Sequence, residues 1–374
     1  MKNGTTELKL RTWVEIDRKA AEKNYKVFRS VVSPKTKLMA VVKSNAYGNE
    51  LVGFSKIMDE LGADIFGVDS ITEGVALRDA GIKKPILVLG YTIPENFKVA
   101  SENDLSVTIS SFELLNALKK NTSPIKVHIK LDTGMHRQGF SPKDARKIIH
   151  DLLLLPHVSM EGVYTHFAKA TDPFNTKAQA DAFFSATVSF DRAGFHYIKH
   201  ACASAGTLLY PECHFDMVRV GIGLHGLWPA KEVKDARSGT VKIEPVLSWK
   251  TILSEVKKVK KGERVGYDLT ETLKKDSCLG VCPVGYWHGF TRALSGVGEV
   301  LVRGKRARVI GRVAMDMIAI DITDIPSARA GDEVVLIGKQ GRDRISAEEM
   351  AERSGTINYE VTTRINPKIR RVFK

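Results

Sequence analysis

From Leu38 to about Gly223, short apolar runs alternate with amphipathic stretches. The runs are Leu38–Lys43, Ile65–Ser70, Pro85–Gly90, Leu105–Ser110, Lys126–Asp132, Met160–His166, Tyr197–Ala203 and Met217–Gly223, most of them rich in Val, Ile and Leu. Runs of that length and composition are expected of strands buried on both faces. Between them lie helical patterns such as Thr72–Ala80, Ser111–Lys120 and Ser141–Leu154, several opened by Ser, Thr or Asp. Eight such units predict a (β/α)8 TIM barrel, an α/β fold with all strands parallel. The texture changes near Gly239. Alternating strands follow, Leu247–Val256, Cys278–Val284, Gly298–Val302, Ala307–Val313, Met317–Asp321 and Glu333–Ile337, separated by Gly- and Asp-containing turns. They predict a mainly antiparallel C-terminal β domain. The expected division is a barrel over 11–239 and a β domain over 240–374, with residues 1–10 packing on the latter.

Composition narrows the class. The chain has 374 residues, 43% hydrophobic and 27% charged, which fits a folded globular protein and excludes disorder. Met1–Thr12 is polar and lacks the apolar core of a signal peptide, and no run reaches the length of a membrane span. Cys202, Cys213, Cys278 and Cys282 form neither a CxxC pair nor a disulfide framework. A cytoplasmic protein with reduced thiols is expected. Lys and Arg number 57 against 43 acids, a net +14. The basic clusters, Lys257–Lys261 and Arg303–Arg308, sit in strand-like segments without stacking aromatics, so nucleic acid is not an expected partner. Attraction of phosphates and carboxylates is the gentler consequence.

The chemistry gathers at the ends of the barrel runs. Ala40-Val41-Val42-Lys43 closes the first, and a lysine there is either a snorkelling side chain or, at the carboxyl end of a barrel strand, a catalytic amine able to form a Schiff base. Arg137 follows the fifth run, His166 ends the sixth, Ser204 follows the seventh and Arg219 lies inside the eighth. An arginine in an apolar strand requires fixed partners. Ser204 with the N–H groups of Gly221 and Ile222 forms a candidate phosphate cradle, at the place where barrels often bind phosphate. Two other patterns lead nowhere. Gly221-Ile222-Gly223-Leu224-His225-Gly226 spells a dinucleotide fingerprint, but it comes late in the chain and Pro229 cuts off the helix it needs. His196 and His200 have zinc-like spacing but lack the following Glu and read as ordinary polar residues on one strand face; no metal is expected.

Ala40-Val41-Val42-Lys43-Ser44-Asn45-Ala46-Tyr47-Gly48 resembles the pyridoxal-phosphate attachment signature of bacterial alanine racemases. The likeness continues through Trp13–Asp17, Leu131–Arg137, Val163–Phe167, Arg219–Gly226, Gly266-Tyr267, Gly285-Tyr286, Gly311–Asp316, Asn358–Glu360 and Thr363–Pro367. It implies an eight-fold barrel, a C-terminal β domain and a head-to-tail homodimer with shared active sites, racemising alanine for cell-wall peptidoglycan. By position, the resemblance makes Lys43 the cofactor lysine and the base on the D side, and Tyr267 of the partner the base on the L side. It sets Arg219 on the pyridine nitrogen, supported by His166, which also supports Tyr267. Tyr47, Ser204, Gly221, Ile222 and Tyr359 fall to the phosphate, and Arg137 with the partner's Met315 backbone to the substrate carboxylate. Lys130 matches a position carbamylated in some members. Removing a proton from one face of Cα and returning it to the other favours two opposed bases. A phenol ionises only well above neutral pH, so Tyr267 needs cationic or hydrogen-bonding help. Arg219 stays protonated, leaves the ring nitrogen bare, and so weakens the electron sink. Three departures stand out: Ala203 in place of the usual Asn, Trp287-His288 within Gly285–Gly289 where GYADG is usual, and Asn49-Glu50 in place of His-Gly. The alternatives are a racemase of this fold acting on serine, lysine or several amino acids, a related decarboxylase, and a non-catalytic pyridoxal-phosphate carrier, the last disfavoured by the second domain.

Overall fold

The computed structural model describes residues 9–374; the expectation for the first ten residues falls largely outside them. The chain divides into two compact units, one of residues 19–245 and one of residues up to 18 together with 246–374. The strand β1 (Thr12–Ile16) therefore lies in the β unit, where the division at 11–239 had assigned it to the barrel. Its sequence explains why. Val14 and Ile16 are fully buried while Trp13 and Glu15 are only partly so, the half-buried alternation of an antiparallel sheet. β1 pairs antiparallel with Leu247–Ile252 and parallel with Arg371–Phe373.

In residues 19–245 eight parallel strands close on themselves: β2 (Lys37–Val41), β3 (Ile65–Val68), β4 (Ile86–Val88), β5 (Leu105–Ile109), β6 (Ile125–Lys130), β7 (Val158–Tyr164), β8 (Ile198–Ala203) and β9 (Met217–Val220). β2 returns to β9 with Met39 opposite Arg219 and Ala40 opposite Val220. β3, β4, β5 and β9 are buried at every position, including Ser106 and Thr108 of β5 and Arg219 of β9. Ser70 and Ser111 cap the helices Ile71–Asp79 and Phe112–Leu118, and Asp172 caps Pro173–Arg192, each side chain accepting a backbone N–H that the first turn leaves without a partner. Seven of the eight strands stop short of the predicted runs, and two of these stops bear on the site: β2 ends at Val41, two residues before Lys43, and β9 ends at Val220, before the turn through Gly221–Gly226.

The β unit carries a ten-stranded, mainly antiparallel sheet. Its order is Glu255–Val259, Ser277–Cys282, Ile318–Asp321, Lys305–Ile310, Glu299–Val302, Glu333–Gln340, Leu247–Ile252, β1 and Arg371–Phe373, with Asp343–Ile345 pairing Glu333–Gln340. The expected single strand Leu247–Val256 is two. Leu253 and Ser254 break it, their amides turning to Asp332 and Val281, and its halves pair with different neighbours.

Candidate active site

Lys43 opens one turn of left-handed helix. Ser44, Asn45, Ala46 and Tyr47 all have positive φ, between 50° and 57°. Non-glycine residues pay about 1–2 kcal/mol each for that conformation, and such strain persists only where the surroundings over-determine it. Here they do. Ala46 N–H donates to Val42 O (2.8 Å), and Gly48, Asn49 and Glu50 close the turn onto Asn45 and Ala46. The Glu73 carboxylate accepts the Asn45 N–H (3.1 Å) and the Asp69 N–H (2.8 Å), tying the turn to the loop after β3. Lys43 Nζ projects from this turn to Asp69 Oδ1 at 3.1 Å, with 38% of its side chain exposed. Two departures gain a physical reading here. Glu50 has φ 78°, a conformation suited to the usual glycine, and recovers stability by accepting the N–H groups of Val52 (2.9 Å) and Gly53 (2.6 Å). Asn49 donates to Ala46 O and to His225 Nδ1, both at 3.0 Å.

Arg219 is buried inside β9, and its partners are neutral. It donates to His200 Nδ1 (2.9 Å), to the carbonyls of Thr165 (2.7 Å) and Ala201 (2.8 Å), and to His166 Nδ1 (3.3 Å). No carboxylate pairs with it among the described residues. Burial without a counter-charge pulls its guanidinium down to about 10. Because a guanidinium only donates, His200 must carry its proton on Nε2 and pass it toward His128 Nδ1, 3.0 Å away. His200 is stacked on Tyr164, ring centroids 4.7 Å apart, and Tyr164 Oη reaches Thr108 at 2.9 Å. Burial, then Arg219, pushes His166 and His128 down to about 3, so both are neutral acceptors at any physiological pH. Lys130, 3.4 Å from Gln138 Oε1, falls to about 8 through burial and then Arg137 and Arg219. Arg219, Lys130 and Arg137 make this part of the rim electropositive, with Asp69 and Asp132 the acids beside its lysines.

The residues around it fit a phosphorylated aldehyde. Ser204 Oγ accepts the N–H groups of Gly221 (3.1 Å) and Gly223 (3.3 Å), which leaves its own hydrogen for an anion. The Gly221 amide is thus engaged by the serine instead of standing open as the sequence reading had it. A Cβ on Gly221 would sit 2.4 Å from Tyr47 Oη, so glycine is what lets that phenol close the cradle. Ala203 leaves the helix Ser204–Leu209 without a side-chain cap. Arg137 is exposed on a loop shaped by Asp132, whose Oδ1 accepts the N–H groups of Gly134, Met135 and His136 at 2.9–3.0 Å.

Lys43, Tyr47, Arg137, His166, Ser204, Arg219, Gly221 and Ile222 are thereby placed on the barrel unit, while Tyr267, Met315 and Tyr359 belong to the β unit. Tyr267 is 69% exposed and follows Gly266 (φ 78°), which lies against the backbone of Gly311 and Arg312, and precedes Asp268 (φ 60°). Met315 is 52% exposed, and its carbonyl accepts the Trp287 N–H at 3.0 Å. Sequence reasoning missed Asp69, Glu73, Tyr164 and His128, and set His200 aside with His196 as an ordinary strand-face residue. Only His200 lies in β8, fully buried, because the strand begins at Ile198.

Models of the alanine racemase N-terminal and C-terminal domains match residues 16–229 and 246–373. The alanine racemase of Methanococcus maripaludis is 41% identical over 369 residues, covering 96% of this chain and 98% of its own, and that of Symbiobacterium thermophilum is 40% identical, covering 97% of each. Among solved structures, the Bacillus anthracis alanine racemase with bound L-Ala-P superposes with a TM-score of 0.92 at 37% identity, over 99% of this chain and 96% of that one. The Clostridium difficile 630 enzyme does so at 0.92 and 33%, over 98% and 97%. Fold and relatives together define an amino-acid racemase, an isomerase built on a (β/α)8 barrel with an antiparallel C-terminal domain. The chain belongs to the alanine racemase family.

Proposed function

We propose that this protein interconverts L- and D-alanine with pyridoxal 5′-phosphate held covalently by Lys43, in the cytoplasm, supplying D-alanine to peptidoglycan. The observation that carries the reading is the grouping of Lys43, the Ser204–Gly221–Tyr47 cradle and a buried Arg219 without a carboxylate partner, all on one barrel. When bound, pyridoxal phosphate supplies an electron sink that acidifies the substrate Cα–H. The chain supplies the rest. Ser204, Tyr47, Gly221 and Ile222, with Tyr359, take the phosphate; Arg219, braced by His166 and His200, takes the ring nitrogen. Arg137 and the backbone of Met315 orient the substrate carboxylate. Lys43 moves the proton on the D side and Tyr267 on the L side. Incubating the protein with pyridoxal phosphate and a panel of L-amino acids, followed by chiral chromatography, is expected to give D-alanine first. Borohydride reduction and peptide mapping should leave the pyridoxyl group on Lys43. Faster racemisation of serine or lysine would move the protein to another substrate, and label on another lysine would end the site assignment.

Tyr267 and Met315 are assigned to the site of a second copy, which makes the active species a homodimer. The exposed Tyr267, Leu269, Tyr286, Trp287, Met315 and Met317 of the β unit support this, since a monomer rarely leaves so many large apolar groups in water. Mixing inactive Lys43→Ala chains with inactive Tyr267→Phe chains should restore part of the activity, because one site of each mixed dimer then holds both bases. No recovery in verified mixed dimers would mean that each site uses its own tyrosine.

A further inference from the structure

His288 stands where an acid is usual, and the structure gives it the acid's work. Its Nδ1 accepts the Gly285 N–H at 3.2 Å, closing the tight turn Gly285–Gly289 from within. Histidine Nδ1 and an aspartate or asparagine Oδ1 lie equally far along their side chains, so the replacement preserves the acceptor. The turn lies flush on the strip before Asp316. Tyr286 N–H donates to Ala314 O and Trp287 N–H to Met315 O, both at 3.0 Å, and a Cβ on Gly285 would sit 2.2 Å from Ala314 O. Asn366 fastens the far side, its N–H to His288 O at 3.1 Å and its Nδ2 to Trp287 O at 3.0 Å. Of the five residues of the turn, only His288 offers a titrating group among these bonds.

We propose that neutral His288 is a positioning residue for the substrate: by accepting the Gly285 N–H it holds the turn that fixes the Met315 backbone, and its protonation releases that turn. This rests on the assignment of Met315 to the substrate carboxylate. The imidazole can accept only while Nδ1 is bare. Burial disfavours its charged form; Asp316, 3.9 Å away, favours it, and Arg11 disfavours it, leaving the group below its ordinary 6.5. An opened turn therefore binds the proton more readily than the closed one. The bond is intact above the ordinary histidine range and is lost as pH falls below it.

The test compares wild type, His288→Ala and His288→Asn as cofactor-loaded protein, reading amide protection at Gly285, Tyr286 and Trp287 together with KM and kcat for alanine between acid and neutral pH. His288→Ala is expected to lower protection by about tenfold, the worth of one hydrogen bond, and to raise KM several-fold with kcat little changed. Wild type should drift the same way on acidification. His288→Asn should restore protection and KM and abolish the acid drift, which a merely space-filling role would not predict. Unchanged protection in His288→Ala, or failure of His288→Asn to rescue, overturns the proposal. Lost protection with KM unmoved overturns instead the assignment of Met315 to the substrate.

Discussion

Replacing Tyr267 by phenylalanine is expected to slow racemisation by roughly 10²–10⁴-fold, the usual cost of deleting a general base, or roughly 3–5 kcal/mol of barrier. The two faces of Cα should suffer unequally. A racemase has an equilibrium constant near unity, so net turnover must fall alike in both directions and cannot reveal the asymmetry. Exchange of the Cα hydrogen with deuterated water can. D-alanine, facing Lys43, should still take up deuterium with retained configuration, because an exposed amine trades its proton with solvent. Uptake from L-alanine should nearly vanish. Phenylalanine keeps the shape of the ring and removes only its hydroxyl. Equal residual exchange from both enantiomers would mean that one base, or water, serves both faces.

The sequence shows some of this machinery and conceals the rest for physical reasons. The barrel strands are legible because burial on both faces makes them short runs rich in Val, Ile and Leu. The polar residues they do contain then stand out, and Arg219 was found that way. Lys43 was legible through its motif, although it begins a left-handed turn instead of ending a strand. Four consecutive non-glycine residues with positive φ leave no compositional trace, since a distant carboxylate, Glu73, holds the turn in place. Glu73 itself follows Ser70 at the spacing of an ordinary helix cap, and Asp69 looks like any loop acid. Tyr164 and His200 hide differently. Each occupies one position of an apolar strand, and nothing local shows that β7 and β8 bring them face to face under Arg219. The misplaced β1 shows the limit of reading by order along the chain. Its partners are residues 247–252 and 371–373, more than two hundred positions away, so nothing adjacent in the sequence shows which unit it joins.

Lys43→Ala should be the most damaging single change at the site and among the least damaging to the fold. The side chain is 38% exposed and its one ionic partner, Asp69, is more exposed still. Its loss leaves no cavity in the core and no buried group without a partner, so the melting temperature should stay close to wild type. Activity should fall beyond the ~10²–10⁴ of a single base, because Lys43 is both covalent tether and proton carrier. The cofactor should still bind, since Ser204, Gly221, Tyr47 and Arg219 are untouched, but borohydride should fix none of it to the chain. The exchange experiment should now read in mirror image: with Tyr267 intact, L-alanine retains deuterium uptake and D-alanine loses it. A small amine such as methylamine, diffusing into the vacated space, should restore part of the D-side exchange, because what is missing there is a base and not a shape. If Lys43→Ala instead suppressed exchange from both enantiomers equally and the amine restored both together, the lysine would be acting as tether alone. Proton transfer on the D side would then have to be sought from another group, with Lys130, pulled down to about 8 by burial, the candidate.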